Sequence, residues 1–166
     1  MFHKDGVTGP MPVSRQRVRD FYQARMSRDP AIIAQFLHDD VEWMIAGPVD
    51  LIPICGQYHG KVAALDAIAR VAPSMFRVTK LNLDELLVDG DRAAAFNRLA
   101  AVQSGTGRTI TYQLAEFFQF RDNKIIIYHA VLDSFDMAEQ MLGHAINTSL
   151  TNAPSDFAAS GDRIAL

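Results

Sequence analysis

Two periodicities divide this chain. From Ser14 to Ser27, Val18, Phe21, Tyr22, Arg25 and Met26 recur at helical spacing, with Arg and Gln on the opposite side. Asp29-Pro30 restarts the chain, because Asp is a preferred N-cap and Pro suits the first helical position. Ile32, Ile33, Phe36 and Leu37 give this second helix its apolar face, His38-Asp39-Asp40 ends it, and Val41 to Ile45 reads as a short strand. A third helix is expected from Lys61 to Ala72, with Val62, Leu65, Ile68 and Ala72 on one side and Pro73 as its stop. From Phe76 onward the period falls to two. Strands are predicted over 76–88, 92–104, 109–121 and 124–133, joined by Asp89-Gly90, Gly105-Thr106-Gly107 and Asp122-Asn123. Joints this short make antiparallel neighbours. Three helices followed by a meander of long strands predict an α+β fold, with the helices on one face of a curved antiparallel sheet.

One segment fits neither period. Ala46 to Gly60 is apolar yet contains two prolines. It is no regular element, and an apolar irregular segment suits a lid over a cavity. Residues 1–13 read as a flexible lead-in, 14–142 as the domain and 143–166 as a tail rich in Asn, Thr, Ser, Pro and Gly.

Composition narrows the function classes. The 166 residues fit one domain, and 49% hydrophobic with 21% charged residues excludes global disorder. Lys and Arg number 16 against 19 Asp and Glu, for a net charge of −3, so the basic surplus of a nucleic-acid binder is absent. Cys55 is the only cysteine and cannot form an internal disulfide. No run reaches the length of a membrane span, and Met1 to Pro12 has no apolar stretch resembling a signal peptide. The expectation is a cytoplasmic protein without membrane or nucleic-acid partners. There is no glycine-rich phosphate loop and no second His/Asp cluster beside His38-Asp39-Asp40, so no cofactor and no metal is expected.

The third long strand carries the most chemistry. One face holds Ile110, Tyr112, Leu114, Glu116, Phe118 and Phe120; the other holds Thr111, Gln113, Ala115, Phe117 and Gln119. Glu116 interrupts an otherwise apolar face, where an isolated carboxylate is costly and seeks a partner. A two-residue Thr106-Gly107 turn would pair Asn97 with Glu116 and Leu99 with Leu114, whereas a slip of one residue would turn Arg98 inward. Two readings of Glu116 stay open: a structural, hydrogen-bonded glutamate, or an acid in a ligand pocket whose replacement by Leu costs little stability. Trp43 and Ile45 share one face of the first strand, and Tyr58 flanks the lid-like segment. His129, in Ile125 to Leu132, has two readings: a candidate base, or a satisfied core or dimer-interface histidine. That strand is apolar on both faces, which predicts a homodimer through its outer side, with Phe117 contributing.

The phrases Phe36-Leu37-His38-Asp39-Asp40-Val41-Glu42-Trp43, Gly56-Gln57-Tyr58-His59-Gly60, Phe118-Gln119-Phe120-Arg121-Asp122-Asn123-Lys124-Ile125 and Leu132-Asp133 occur in this order. In order and spacing the chain resembles the SnoaL-like, ketosteroid-isomerase-related group of the nuclear-transport-factor-type cone fold, over residues 14 to 142. The resemblance implies a curved sheet wrapped around helices with an apolar pocket open at one end. Its members include isomerases, cyclases, epoxide hydrolases, dehydratases and non-catalytic domains, so the fold alone selects no function. The isomerase base falls on Ile45, the oxyanion-hole tyrosine near Phe21 and Tyr22, and the uncharged acid on Glu116. The acid that polyketide cyclases carry on the last strand falls at Tyr128-His129-Ala130.

The expected catalytic groups are therefore Glu116, Tyr22, Tyr128 and His129. The positions that follow from face sharing and the resemblance as ligand contacts are Trp43, Ile45, Tyr58, Asn97, Tyr112, Leu114, Phe118 and Leu132. The expected ligand is a small apolar molecule, cyclic or polyketide- or steroid-like, bound with or without cofactor-independent proton transfer. The alternative is a non-catalytic ligand-binding or dimerisation module.

Overall fold

A computed structural model describes residues 11–146. The lead-in expected over 1–13 and the tail over 143–166 lie mostly outside the described residues. Helix α1 spans Arg15–Ser27 and α2 spans Pro30–Ala34. Strand β1 (Leu37–Ala46) and the short β2 (Gly56–His59) precede α3 (Lys61–Asp66). A π-helical stretch, Ala67–Val71, joins α3 to α4 (Ala72–Met75). The long strands follow: β3 (Phe76–Asp89), β4 (Arg92–Gln103), β5 (Thr109–Arg121) and β6 (Lys124–Leu132), then α5 (Ser134–Leu142).

The six strands form one sheet in the order β2-β1-β6-β5-β4-β3. The meander is antiparallel throughout, as its short joints require. β1 differs: it runs parallel to β6, with Trp43 beside Tyr128 and Ile45 beside Ala130. Strands β2 to β5 lie between them in sequence, which supplies the long connection a parallel pair needs. The helices cover one face of this sheet, and the core between them contains Val18, Phe21, Trp43, Leu114 and Tyr128.

Local chemistry explains the helix starts. Ser14 caps α1 by accepting from Arg17 N at 3.0 Å, and Asp29 caps α2 by accepting from Ala31 N at 2.8 Å. Asp133 caps α5 from the end of β6, accepting from Asp136 N at 3.2 Å. Three expectations need correction. α2 ends at Ala34, and His38-Asp39-Asp40 lies inside β1, because Phe36 O accepts from Ile125 N at 2.7 Å and sheet pairing overrides helical spacing. Pro73 does not stop the third helix; it falls in the first turn of α4, behind the π stretch, where a missing N–H is tolerated. On α3 it is Ala64 that is buried, while Val62 is 85% exposed.

The segment after β1 is partly regular. Gly56–His59 pairs antiparallel with Glu42 to Ile45 as an edge strand. Between the two strands the chain folds back on itself, burying Ile52 and Cys55. Gly47 permits this close approach, since a Cβ there would meet Cys55 Sγ at 2.5 Å. The Tyr58 hydroxyl lies 3.0 Å from Pro53 O and 3.2 Å from Ile54 O, so it pins the loop through its carbonyls.

The α1 cap yields a direct stability test. Ser14→Ala should lower stability by about 1 kcal/mol, the usual cost of losing a serine cap. Urea unfolding should show a lower midpoint with an unchanged slope.

Candidate functional site

The inner face of β5 is confirmed by burial: Ile110, Leu114, Glu116, Phe118 and Phe120 are buried, while Thr111, Gln113 and Phe117 face outward. The β4–β5 register differs by two residues from the expected one. Ala95 lies opposite Glu116 and Asn97 opposite Leu114, because the connection is longer than a two-residue turn. A shift of two keeps every side chain on its face. Asn97 therefore still points inward, and Arg98 faces outward to Asp84 at 2.6 Å.

Glu116 is fully buried and receives donors from three elements. Tyr22 Oη of α1 donates to Oε2 at 2.6 Å, and Asn97 Nδ2 of β4 donates to the same oxygen. Arg25 Nη1 of α1 donates to Oε1 at 2.6 Å, and Tyr128 Oη of β6 donates to that oxygen too. Asn97 Nδ2 also reaches Tyr22 Oη at 3.0 Å. Tyr22 and Arg25 are three residues apart on α1, so both project from one face. Each carboxylate oxygen thus meets two donors, and one of the four, on Oε1, is a guanidinium. This is a setting for a carboxylate anion, not for the uncharged acid that the resemblance implied.

The neighbours respond accordingly. Burial first, and then the charge of Glu116, pushes the Tyr22 and Tyr128 phenols well above their usual range. Burial pulls the Arg25 guanidinium down, but the oxygens of Tyr128, Glu116 and Tyr22 outweigh it and hold it above its ordinary value. Burial lifts Tyr112 to about 12, with nearby Arg25 pulling the other way.

A cavity of about 110 Å³ lies beside this network. Its apolar walls include Ile45, Ile68, Leu99, Leu114, Leu132 and Met137. Its polar lining consists of Arg25, Arg28, Trp43, Tyr112 and Tyr128. Trp43 stacks on Tyr128 with ring centroids 3.5 Å apart and planes at 11°. Its indole N–H is buried and finds no partner among the described residues.

The expected site residues separate into three groups. Tyr128, Trp43, Ile45, Tyr112, Leu114 and Leu132 line the cavity. Glu116, Tyr22 and Asn97 form the buried layer that holds Arg25 and Tyr128, and they do not belong to the lining. The remaining three are not brought to the cavity. Phe118 is core, packed edge-on to Phe21, Tyr22 and Tyr128. Tyr58 is spent on the loop carbonyls. His129 is exposed on the opposite face of the sheet, beside Phe117, because Tyr128 takes the inward position. It therefore cannot serve as a base next to Glu116. Sequence reasoning missed Arg25 and Arg28. The signal for Arg25 was present: a cation on the apolar face of α1, one turn from Tyr22. Cys55 is no alternative nucleophile, since burial lifts its thiol to about 11. Among the described residues no group of three His, Cys, Asp or Glu side chains could hold a metal ion.

A SnoaL-like domain model matches residues 18–128. The chain belongs to the SnoaL-like family. It shares the fold of an isomerase candidate from Rhodopseudomonas palustris, at 29% identity and a TM-score of 0.74, over 80% of this chain and 100% of that one. An LEH-like epoxide hydrolase from M. tuberculosis is similar at 16% identity and a TM-score of 0.62, over 77% and 88%. TerC, co-crystallized with polyporic acid, is similar at 22% identity and a TM-score of 0.63, over 75% and 96%. No functionally curated protein matches the chain.

Two tests probe the network. Glu116→Leu should cost about 3 kcal/mol, the low end for breaking a buried ion pair, because Arg25 keeps 21% of its side chain exposed. This departs from the expectation of a near-neutral replacement, which ignored the four donors that lose this acceptor. Adding Arg25→Met should restore roughly half of the loss, since swapping a whole buried pair for apolar groups is often near neutral. Chemical unfolding of both variants measures this. The second test is alkaline titration. All four tyrosines are raised above their ordinary value of 10. The stability they carry is fully present below pH 10 and is lost as pH rises through the higher folded values. Tyrosinate absorbance at pH 10 should be lower in the native protein than in the unfolded chain, and the part carried by Tyr22 and Tyr128 should appear together with unfolding.

Proposed function

We propose that this chain binds a small, mostly apolar molecule in the cavity between the helices and the sheet. The observation that carries this reading is the union of apolar walls with a polar end held rigid from behind. Arg25 and Tyr128 line the cavity, and both are fixed by the buried Glu116. A site whose polar groups are locked by a supporting layer is preorganised for one ligand orientation. The solved relatives named for isomerase and epoxide hydrolase activity support small-molecule chemistry in this fold, and the SnoaL-like family is consistent with it. The cavity is smaller than the roughly 300–1,000 Å³ of drug-sized sites, which favours a compact ligand over a fused-ring one. Binding is favoured over base-catalysed isomerisation, because the base position is Ile45 and no carboxylate or imidazole lines the cavity. Catalysis would have to run through Tyr128 with Glu116 behind it.

The test uses Trp43, the single tryptophan, as reporter. Titration with a panel of small apolar compounds should change its fluorescence. Leu99→Phe or Leu114→Phe, which fill the cavity and keep Trp43 as the one tryptophan, should lower affinity at least about tenfold, a loss of 1.4 kcal/mol. Equal binding by the filled variants would overturn the reading.

A homodimer through the outer sheet face belongs to the same proposal. Leu87 is 65%, Phe117 53% and Val131 52% exposed on that face. Contiguous apolar surface of this kind marks association sites. Sedimentation should give a dimer at micromolar concentration, and Phe117→Glu should give a monomer. A wild-type monomer would sink the idea.

A further inference from the structure

The polar lining of the cavity has one chemical character. Arg25, Arg28, Trp43, Tyr112 and Tyr128 all carry N–H or O–H donors, and no Asp, Glu, His or Lys joins them. Arg and Trp can only donate. The Tyr128 hydroxyl already donates to Glu116. Arg25 commits one amino nitrogen to Glu116, and its other N–H groups make no hydrogen bond among the described residues. The Tyr112 hydroxyl and the Arg28 guanidinium likewise find no partner there, and the buried indole N–H of Trp43 has none. Charge points the same way. Two guanidiniums against the one carboxylate of Glu116 leave this end of the cavity at +1, on a chain whose net charge is −3.

Arg28 adds an independent observation. It closes α1 in the left-handed region, at φ 60 and ψ 13, where glycine is the usual residue. A non-glycine residue there costs stability. An exposed arginine in that backbone conformation, lining an apolar cavity, suits a role in binding.

We infer that the cavity takes an organic anion: a compact apolar body bearing one carboxylate-like head, seated on Arg25 and Tyr112 with Arg28 at the entrance. This rests on the small-molecule reading above and names its ligand class. Apolar walls accept the body, and the unpaired donors replace the water that the head gives up on entry. Glu116 acts here as a positioning residue. It offsets one charge and aims Arg25, so a single anion, rather than two, completes the balance.

The probes are pentanoate, 1-pentanol and pentylammonium, which share a chain and differ in head-group charge. Binding is followed at pH 7 by the indole N–H resonance of Trp43 in the full chain, in wild type, Arg28→Gly and Tyr112→Phe. Pentanoate should bind about tenfold or more tighter than pentanol, as one charge-assisted hydrogen bond provides, and pentylammonium weakest. Added salt should weaken pentanoate alone. Arg28→Gly should weaken pentanoate about threefold to tenfold and leave pentanol unchanged, while its melting temperature stays level or rises, because glycine relieves the left-handed backbone. A merely structural arginine would not split the two probes. Equal affinity for pentanoate and pentanol overturns the anion assignment while the small-molecule reading stands. Pentanoate binding that ignores Arg28→Gly and Tyr112→Phe also overturns it. No response of Trp43 to any of the three overturns both.

Discussion

A carboxylate removed from water organises the interior of this domain. Glu116 sits on the buried face of the sheet, where an ionised group without partners costs several kcal/mol. The chain meets that cost with donors from three directions: Tyr22 and Arg25 from α1, Asn97 from β4 and Tyr128 from β6. The constraint is geometric as well as energetic. The donors reach the two oxygens together only if α1 lies at one height across the sheet. The network therefore fixes the helix against the strands more sharply than the apolar contacts of Val18 and Phe21 do, since those tolerate sliding.

The same network divides the interior into two environments. Behind Glu116 lies close-packed aromatic core, in which Phe118 meets Phe21, Tyr22 and Tyr128 edge to face. In front of it lies the cavity, reached by Arg25 and Tyr128 but not by the carboxylate itself. The acid is thus screened from a ligand by the groups it holds. This arrangement departs from the isomerases that the chain resembles, where an uncharged acid faces the substrate and an aspartate base lies opposite. Here the base position is an apolar wall, Ile45, and the acid carries a paired cation. The common fold therefore does not by itself carry over the chemistry of those isomerases.

The cavity also depends on irregular backbone. The π stretch Ala67–Val71 carries Ile68 to the cavity wall and delivers Ala72 and Pro73 beside it. The folded-back loop adds Ile54, and the single Tyr58 hydroxyl proton is shared among its carbonyls, with Pro53 O nearest at 3.0 Å. Regular helix and strand build the cone, and its contents are set where that regularity breaks.

Residue spacing alone determined the order of the four meander strands after the N-terminal helices, the turns at Asp89-Gly90 and Asp122-Asn123, the inward face of β5 and the anomaly at Glu116. These depend on interactions between residues close in sequence and on a strand period of two, which survives even a two-residue error in register. Only the tertiary structure decided what Glu116 meets. Arg25 lies 91 residues away and Tyr22 94, and no local pattern specifies such a pairing. It likewise turned His129 outward, since choosing which face of a doubly apolar strand meets the helices requires the neighbouring strands. The parallel pairing of β1 with β6, and the absorption of His38 to Asp40 into that strand, came from the same source. A free row of backbone donors and acceptors on β6 outcompeted a weak helical preference, and that competition is invisible until the sheet has formed.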